Sequence, residues 1–184
     1  MKSKIIKCLK EILNDHPIIV PTDTVYGLVC RYDSEFAIEK IYKLKKRDRK
    51  KPLILLGYNW NSLKKFVHVE SLRATTLRQL IKQWPGALTL VLRASKYGPK
   101  YLNKGFKTIG IRVPNNKFLL SLLKKCPGGV LASTSANISG KNDRNPQKEL
   151  IKKVNLFIKA KKGEMILEPS TIIEIKKNKI NILR

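Results

Sequence analysis

This sequence predicts an α/β (α+β) fold with a twisted, mixed β-sheet flanked by helices. Three observations carry that expectation. Apolar residues at helical spacing alternate with short β-branched runs along most of the chain. Turn-forming pairs punctuate those runs, as at Pro85-Gly86 and Pro127-Gly128-Gly129. The length, 184 residues, suits one domain over 1–184, with no repeat, low-complexity tract or linker to divide it.

The elements follow in order. Ile5, Ile6, Leu9, Ile12 and Leu13 form one stripe of a basic amphipathic helix. Ile18 to Val20 is a short strand stopped by Pro21, and a second run lies around Tyr26 to Cys30. Ser34 caps a helix with the apolar face Ala37, Ile38, Ile41 and Leu44. The continuous apolar run Pro52 to Leu56 reads as a buried strand. Leu72 to Trp84 is helical until Pro85-Gly86 breaks it, and Leu88 to Leu92 is a strand. Residues 94 to 107 read as a long loop, Thr108 to Val113 as an alternating strand, and Lys117 to Lys125 as a helix. Val130 to Ser133 is a strand, 134 to 145 a polar loop, and Pro146 opens a helix to about Val154. Leu156 to Ile158, Thr171 to Ile175 and Ile180 to Leu183 close the chain as strand-like runs.

Composition excludes several classes. With 42% hydrophobic and 28% charged residues, general disorder, collagen-like repeats and coiled coils are out. Three cysteines without CxxC spacing and only two histidines argue against a zinc site or a disulfide framework. Reduced thiols and a cytoplasmic location are expected, with no membrane partner. No apolar run approaches the roughly 20 residues that span a bilayer. The net charge of +26 points to a polyanion: RNA, DNA, nucleotide or acidic lipid. Compositional drift toward Lys would also produce it, because the lysines spread along the whole chain.

Five polar stretches sit at the ends of expected strands or helices, where α/β proteins place their sites. None is a Walker loop or a GxGxxG. Pro21 to Gly27 gathers two threonine hydroxyls, a carboxylate and a phenol; a plain turn between strands would also account for it. Lys45 to Lys50 is dense in cations at a helix end. Lys45 and Arg47 diverge by about 200° in a helix, so they can share a phosphate only if the helix unwinds between them. In a strand, Thr108, Gly110 and Arg112 share one face, with Arg112 suited to a carboxylate or phosphate and Gly110 leaving room for a ligand. Ser133, Ser135 and Asn137 line up if extended, as neutral donors for anionic oxygens. Pro169-Ser170-Thr171 enters the Ile-Ile strand and says little alone.

In combination these stretches resemble the YrdC/Sua5 family, the threonylcarbamoyl-AMP synthases. Pro21 to Leu28 is similar to the family's Pro-Thr-acid-Thr-x-Tyr-Gly-Leu, Lys45 and Arg47 to its Lys-x-Arg, and Trp84 to Thr89 to its Trp-Pro-Gly-x-Leu-Thr. Ile109 to Pro114 and Ser135 to Gly140 resemble its arginine strand and its Ser-x-Asn-x-Ser-Gly. The resemblance implies a YrdC/RibB-like domain of the short form and a two-step reaction. Threonine takes up bicarbonate, and the carboxylate formed attacks the α-phosphorus of ATP to give threonylcarbamoyl-AMP and pyrophosphate. That product serves modification of adenosine 37 in tRNAs reading codons that begin with A. A downstream transferase complex and a weak, electrostatic tRNA contact are implied as partners, and Mg²⁺ arrives with ATP.

Carried over by position, Lys45, Arg47, Ser135 and Asn137 are implied as catalytic. Thr24, Arg112, Ser135 and Ser170 would contact threonine, with Arg112 on its carboxylate. Lys45, Arg47, Lys51, Thr108, Ser133, Asn137 and Arg184 would contact ATP, and no protein metal ligand is implied. The chain departs from long-form relatives at Lys51, where they often carry Asn, at Leu56, where they carry His, and at Asp143, where they carry Ser. A non-catalytic RNA-binding relative of the same fold is the alternative; pure RNA binding would not require Lys45-x-Arg47 together with Ser135-x-Asn137.

Overall fold

A computed structural model describes residues 1–69, 74–103, 105–139, 145–176 and 179–184. The helices are α1 (Lys2–Leu13), α2 (Glu35–Lys45), α3 (Trp60–Leu63), α4 (Ala74–Ile81), α5 (Lys100–Asn103), α6 (Lys117–Leu123) and α7 (Lys148–Ile151). The strands are β1 (Ile18–Val20), β2 (Gly27–Arg31), β3 (Ile54–Gly57), β4 (Leu88–Arg93), β5 (Thr108–Arg112), β6 (Val130–Ser135), β7 (Thr171–Lys176) and β8 (Lys179–Ile182). Single 3₁₀ turns occur at Lys64–Phe66 and Pro127–Gly129.

The strands form one mixed sheet in the order β1-β2-β6-β3-β5-β4-β7-β8. The pairs β3–β5 and β4–β7 are parallel, and the remaining neighbours run antiparallel. Helices cover both faces. On one, Ile5, Cys8 and Ile12 of α1 meet Leu119, Leu122 and Leu123 of α6 over Val29, Leu56 and Leu131. On the other, Ala37, Ile38 and Ile41 of α2 and Leu77 and Leu80 of α4 share one core with Leu55, Ile109 and Ile111. Burial of this apolar surface is the main favourable term holding the layers together.

Local chemistry explains the element ends. The Ser34 hydroxyl accepts from the Ala37 amide, capping α2 as expected. The same helix stops because Lys46 takes a left-handed conformation, φ 50° and ψ 42°. The unwinding between Lys45 and Arg47 that a shared phosphate would need is therefore present. Asn59 and Ser62 cap α3 reciprocally, which a four-residue helix without apolar periodicity does not announce.

Several expectations need correcting. On α1, Ile6 and Leu13 face solvent, and Cys8 takes the inward place. The strand expected at 130–133 runs on through Thr134 and Ser135, because ladder bonds to Gly27 and Leu28 hold these polar residues extended. The 94–107 loop contains α5, and the helix expected from Pro146 to Val154 is only Lys148–Ile151. Leu156 to Ile158 makes an isolated bridge through Phe157 to Ile19 rather than a strand. Leu72, Gly140 and Asp143 lie outside the described residues.

Candidate active site

Register places five strands' side chains on one sheet face. Ser133 pairs with Ile54, Leu56 with Arg112, and Thr89 with Ile172. Beyond the cover of α1 and α6, that face forms a cavity of about 210 Å³. Thr22, Thr24, Arg47, Leu56, Thr89, Arg112, Ser133, Ser135, Ser170 and Arg184 line it. Three other cavities are larger, but none brings three guanidinium groups and a bank of hydroxyls together. Its volume lies below the roughly 300 Å³ at which drug-sized ligand pockets begin, so it is sized for a small ligand or part of a larger one.

Arg112 is the centre. It is 4% exposed, and its fork is held on three sides. Nη2 donates to Asp23 Oδ1 at 2.7 Å, Nη1 to Thr24 Oγ1 at 2.9 Å, and Nε to the Gly86 carbonyl at 3.0 Å. A guanidinium has five donors, so one remains on each terminal nitrogen, available to an anion. Burial lowers the Arg112 pKa, Asp23 opposes that shift, and Arg184 adds to it.

The Pro21–Gly27 stretch is both a turn and a site wall. Thr22 Oγ1 donates to the Val25 carbonyl at 2.7 Å and accepts from the Thr24 amide at 3.0 Å. Its proton being spent, the 3.0 Å contact between the two hydroxyls must run from Thr24 to Thr22. Arg112 thus heads a polarised chain through Thr24 and Thr22 into a backbone carbonyl. Tyr26 is turned to structure: its ring packs on Phe157 and its hydroxyl accepts from the Ala160 amide.

Two glycines set the geometry. A Cβ on Gly86 would lie 2.4 Å from the Gln83 carbonyl oxygen, so only glycine lets the turn close with its own carbonyl on Arg112. A Cβ on Gly110 would lie 2.7 Å from Ile54 Cγ2. The space expected there for a ligand is therefore taken by Ile54, and Gly110 serves strand packing.

Lys45 occupies an unexpected position. It is 1% exposed. Its Nζ donates to the Ser135 carbonyl, to the Asn137 carbonyl at 2.6 Å and to Asn137 Oδ1 at 3.1 Å. The Ser135 hydroxyl donates to the same Oδ1 at 2.6 Å, and the Ser139 amide to the Lys45 carbonyl. Three acceptors match the three donors of the charged ammonium. Burial, and then the Arg47 guanidinium, push its pKa down from 10.5 to about 7. At neutral pH the group stands at the edge of losing a proton that its cage is shaped to keep. Arg47 folds back on the Lys51 and Pro52 carbonyls at 2.8 and 3.1 Å and still reaches the cavity wall.

The structure thus brings Thr24, Arg47, Arg112, Ser133, Ser135, Ser170 and Arg184 to one cavity, with Lys45 and Asn137 knotted behind the Ser135 edge. Thr108 shares the face of Arg112 at the far end of β5, and the exposed Lys51 contributes its carbonyl to Arg47; neither lines the cavity. Sequence reasoning left out Asp23, Thr22 and Thr89. Thr89 is buried and bonds Ser170 Oγ at 2.9 Å. The signal was present, since all three lie inside the motif stretches. Among the described residues no group of three His, Cys, Asp or Glu could hold a metal, and no helix is long and apolar enough to cross a membrane.

Residues 10–184 match the Sua5/YciO/YrdC family, described as telomere recombination. A threonylcarbamoyl-AMP synthase from Buchnera aphidicola is 32% identical over 182 residues, 97% of this chain and 94% of that protein. Another, from Blochmanniella floridana, is 40% identical over 136 residues, 73% of this chain and 71% of that protein. The crystal structure of Sua5 from P. abyssi complexed with L-threonine superposes with a TM-score of 0.86 at 28% identity. It covers all of this chain, which spans 54% of that longer protein.

Proposed function

The chain belongs to the Sua5/YciO/YrdC family, and from that premise we propose that it is a threonylcarbamoyl-AMP synthase. The observation that carries the reading is the Arg112 fork, poised with two open donors in a hydroxyl-lined cavity beside Arg47 and Arg184. The L-threonine carboxylate accepts from Arg112. Thr24, Ser135 and Ser170 complete that pocket, while Asp23 and Thr89 hold Arg112 and Ser170 in place. Leu56 gives this pocket an apolar wall where the long-form relatives carry His. The threonine amine attacks bicarbonate and water leaves, giving N-carboxythreonine. Its new carboxylate forms a bond to the α-phosphorus of ATP, and the bond to pyrophosphate breaks.

The protein's part is positioning and charge stabilisation. Arg47, Arg184 and Ser133 face the phosphates, with Lys51 and Thr108 toward the outer nucleotide and Asn137 supporting them through the Ser135 hydroxyl. Lys45 acts from beneath, keeping Ser135 and Asn137 in register. The volume of the cavity suits the amino acid, leaving the nucleotide to lie across its mouth. Mg²⁺ travels with the ATP phosphates, since the nearby carboxylate, Asp23, is bound to Arg112. The same reading gives one domain over 1–184, a cytoplasmic enzyme, a weak tRNA contact and a downstream transferase complex. The test is pyrophosphate release from ATP and Mg²⁺. It is expected to require both L-threonine and bicarbonate. Release unchanged without threonine overturns the reading.

A further inference from the structure

The opposite end of β5 from Arg112 carries a second feature. A groove of about 580 Å³ opens between the backbone at 66–68, the segment 93–98 and the segment 105–107. Arg93, Lys96, Lys107 and His68 line it, together with Phe106, and among the described residues no carboxylate does. None of the three cations has a carboxylate partner among the described residues. The frame is pinned by backbone bonds: His68 to Arg93, Ala94 to Lys107, and Ser95 to Phe66. Side chains that face the groove are therefore presented from a fixed base.

Aromatic exposure separates this groove from the scattered lysines elsewhere. Among the described residues the exposed aromatics are Phe36, Tyr97 and Phe106. Phe106 lines the groove, and Tyr97 stands on its rim between the lining residues Lys96 and Gly98. Exposed rings interleaved with cations in a concave channel are the pattern that stacks bases while neutralising the linking phosphates. A bilayer surface would ask instead for a convex apolar face.

We propose that this groove docks a single-stranded segment of RNA, with bases on Phe106 and Tyr97 and phosphates on Arg93, Lys96 and Lys107. The proposal adds a place and a mode to the weak tRNA contact above and rests on that part of the reading alone; it requires nothing of the cavity's chemistry. Five residue steps along an extended strand separate Lys107 from Arg112, roughly 16 Å. The bound segment therefore lies away from the reacting atoms.

The experiment measures fluorescence anisotropy of a labelled 12-nucleotide single strand, with a hairpin duplex and anionic vesicles as parallel probes. The full chain is compared with Tyr97→Leu/Phe106→Leu, which keeps apolar bulk without the rings, with Lys96→Ala/Lys107→Ala, and with Lys7→Ala/Lys10→Ala. The last removes equal charge from the exposed side of α1. Losing the rings is expected to weaken single-strand binding by roughly fivefold or more and leave duplex binding alone. Losing Lys96 and Lys107 should flatten the log–log salt slope by about 0.7 per cation. The α1 variant should do neither, and pyrophosphate release should be unchanged in all three. Equal losses from the α1 pair, single-strand binding indifferent to the rings, or a preference for duplex or vesicles overturns the proposal. Loss of pyrophosphate release in the full chain bears on the synthase reading and leaves the groove untouched.

Discussion

At the scale of single residues, Arg112 and Lys45 are buried cations put to different uses. Arg112 keeps two donors open toward the cavity, so its removal strikes one ligand. Arg112→Ala is expected to weaken threonine binding by about 1.5–3 kcal/mol, the worth of a charged hydrogen bond, and to change ATP binding less. Calorimetry showing equal losses for both ligands would move Arg112 to the phosphates. Lys45 has no open donor, and its pKa, near 7, lies below the ordinary lysine value. The charged form is therefore the one the fold disfavours. Its cost is present in full below pH 7 and fades as pH rises toward 10.5. An arriving polyphosphate favours the charged form, so ATP binding at pH 8 should take up a proton, and at pH 6 much less. Calorimetry in buffers of differing ionisation enthalpy reads this directly, and uptake that persists in Lys45→Met would exclude Lys45 as the source.

At the scale of elements, the turn at Gly86 ties the end of α4 to the arginine strand. In Gly86→Ala the new methyl meets a backbone oxygen at 2.4 Å, and that contact cannot rotate away. The substitution should cost about 1–3 kcal/mol of stability and weaken threonine binding, because the displaced carbonyl is the one on Arg112 Nε. Chemical denaturation and threonine titration of the variant check both; wild-type affinity in a destabilised protein would uncouple turn from site. The strands were legible because β-branched residues alternate or run continuously, as in Ile109, Ile111 and Val113. The α2 cap was legible in Ser34. What escaped was set by tertiary pairing: Thr134 and Ser135 look like loop residues but lie on a ladder with β2. The site was legible as motifs. That Asp23 would take one side of Arg112, and that Lys45 would face carbonyls, depends on distances between segments 89 to 92 residues apart, which no local pattern encodes.

At the scale of the whole molecule, the excess of cations divides into parts with different work. Arg47, Arg112 and Arg184 ring the cavity, Lys45 is sealed beneath it, and most lysines are solvated. The two sheet ends are separate workplaces joined by β5. The parallel pairing of β4 with β7, Leu88 beside Thr171, has its own consequence. It brings Ser170 to Thr89 across 81 residues of chain, and pairings this distant in sequence slow folding. The pocket is thus a product of the completed fold and has no partial version. Occupancy and global folding are linked equilibria: threonine at about a hundred times its dissociation constant should add about 2.7 kcal/mol. For a chain of this size that is a rise of roughly 5–10 °C in the melting midpoint. A midpoint indifferent to threonine would mean that the ligand does not distinguish the folded from the unfolded chain, and would overturn this coupling.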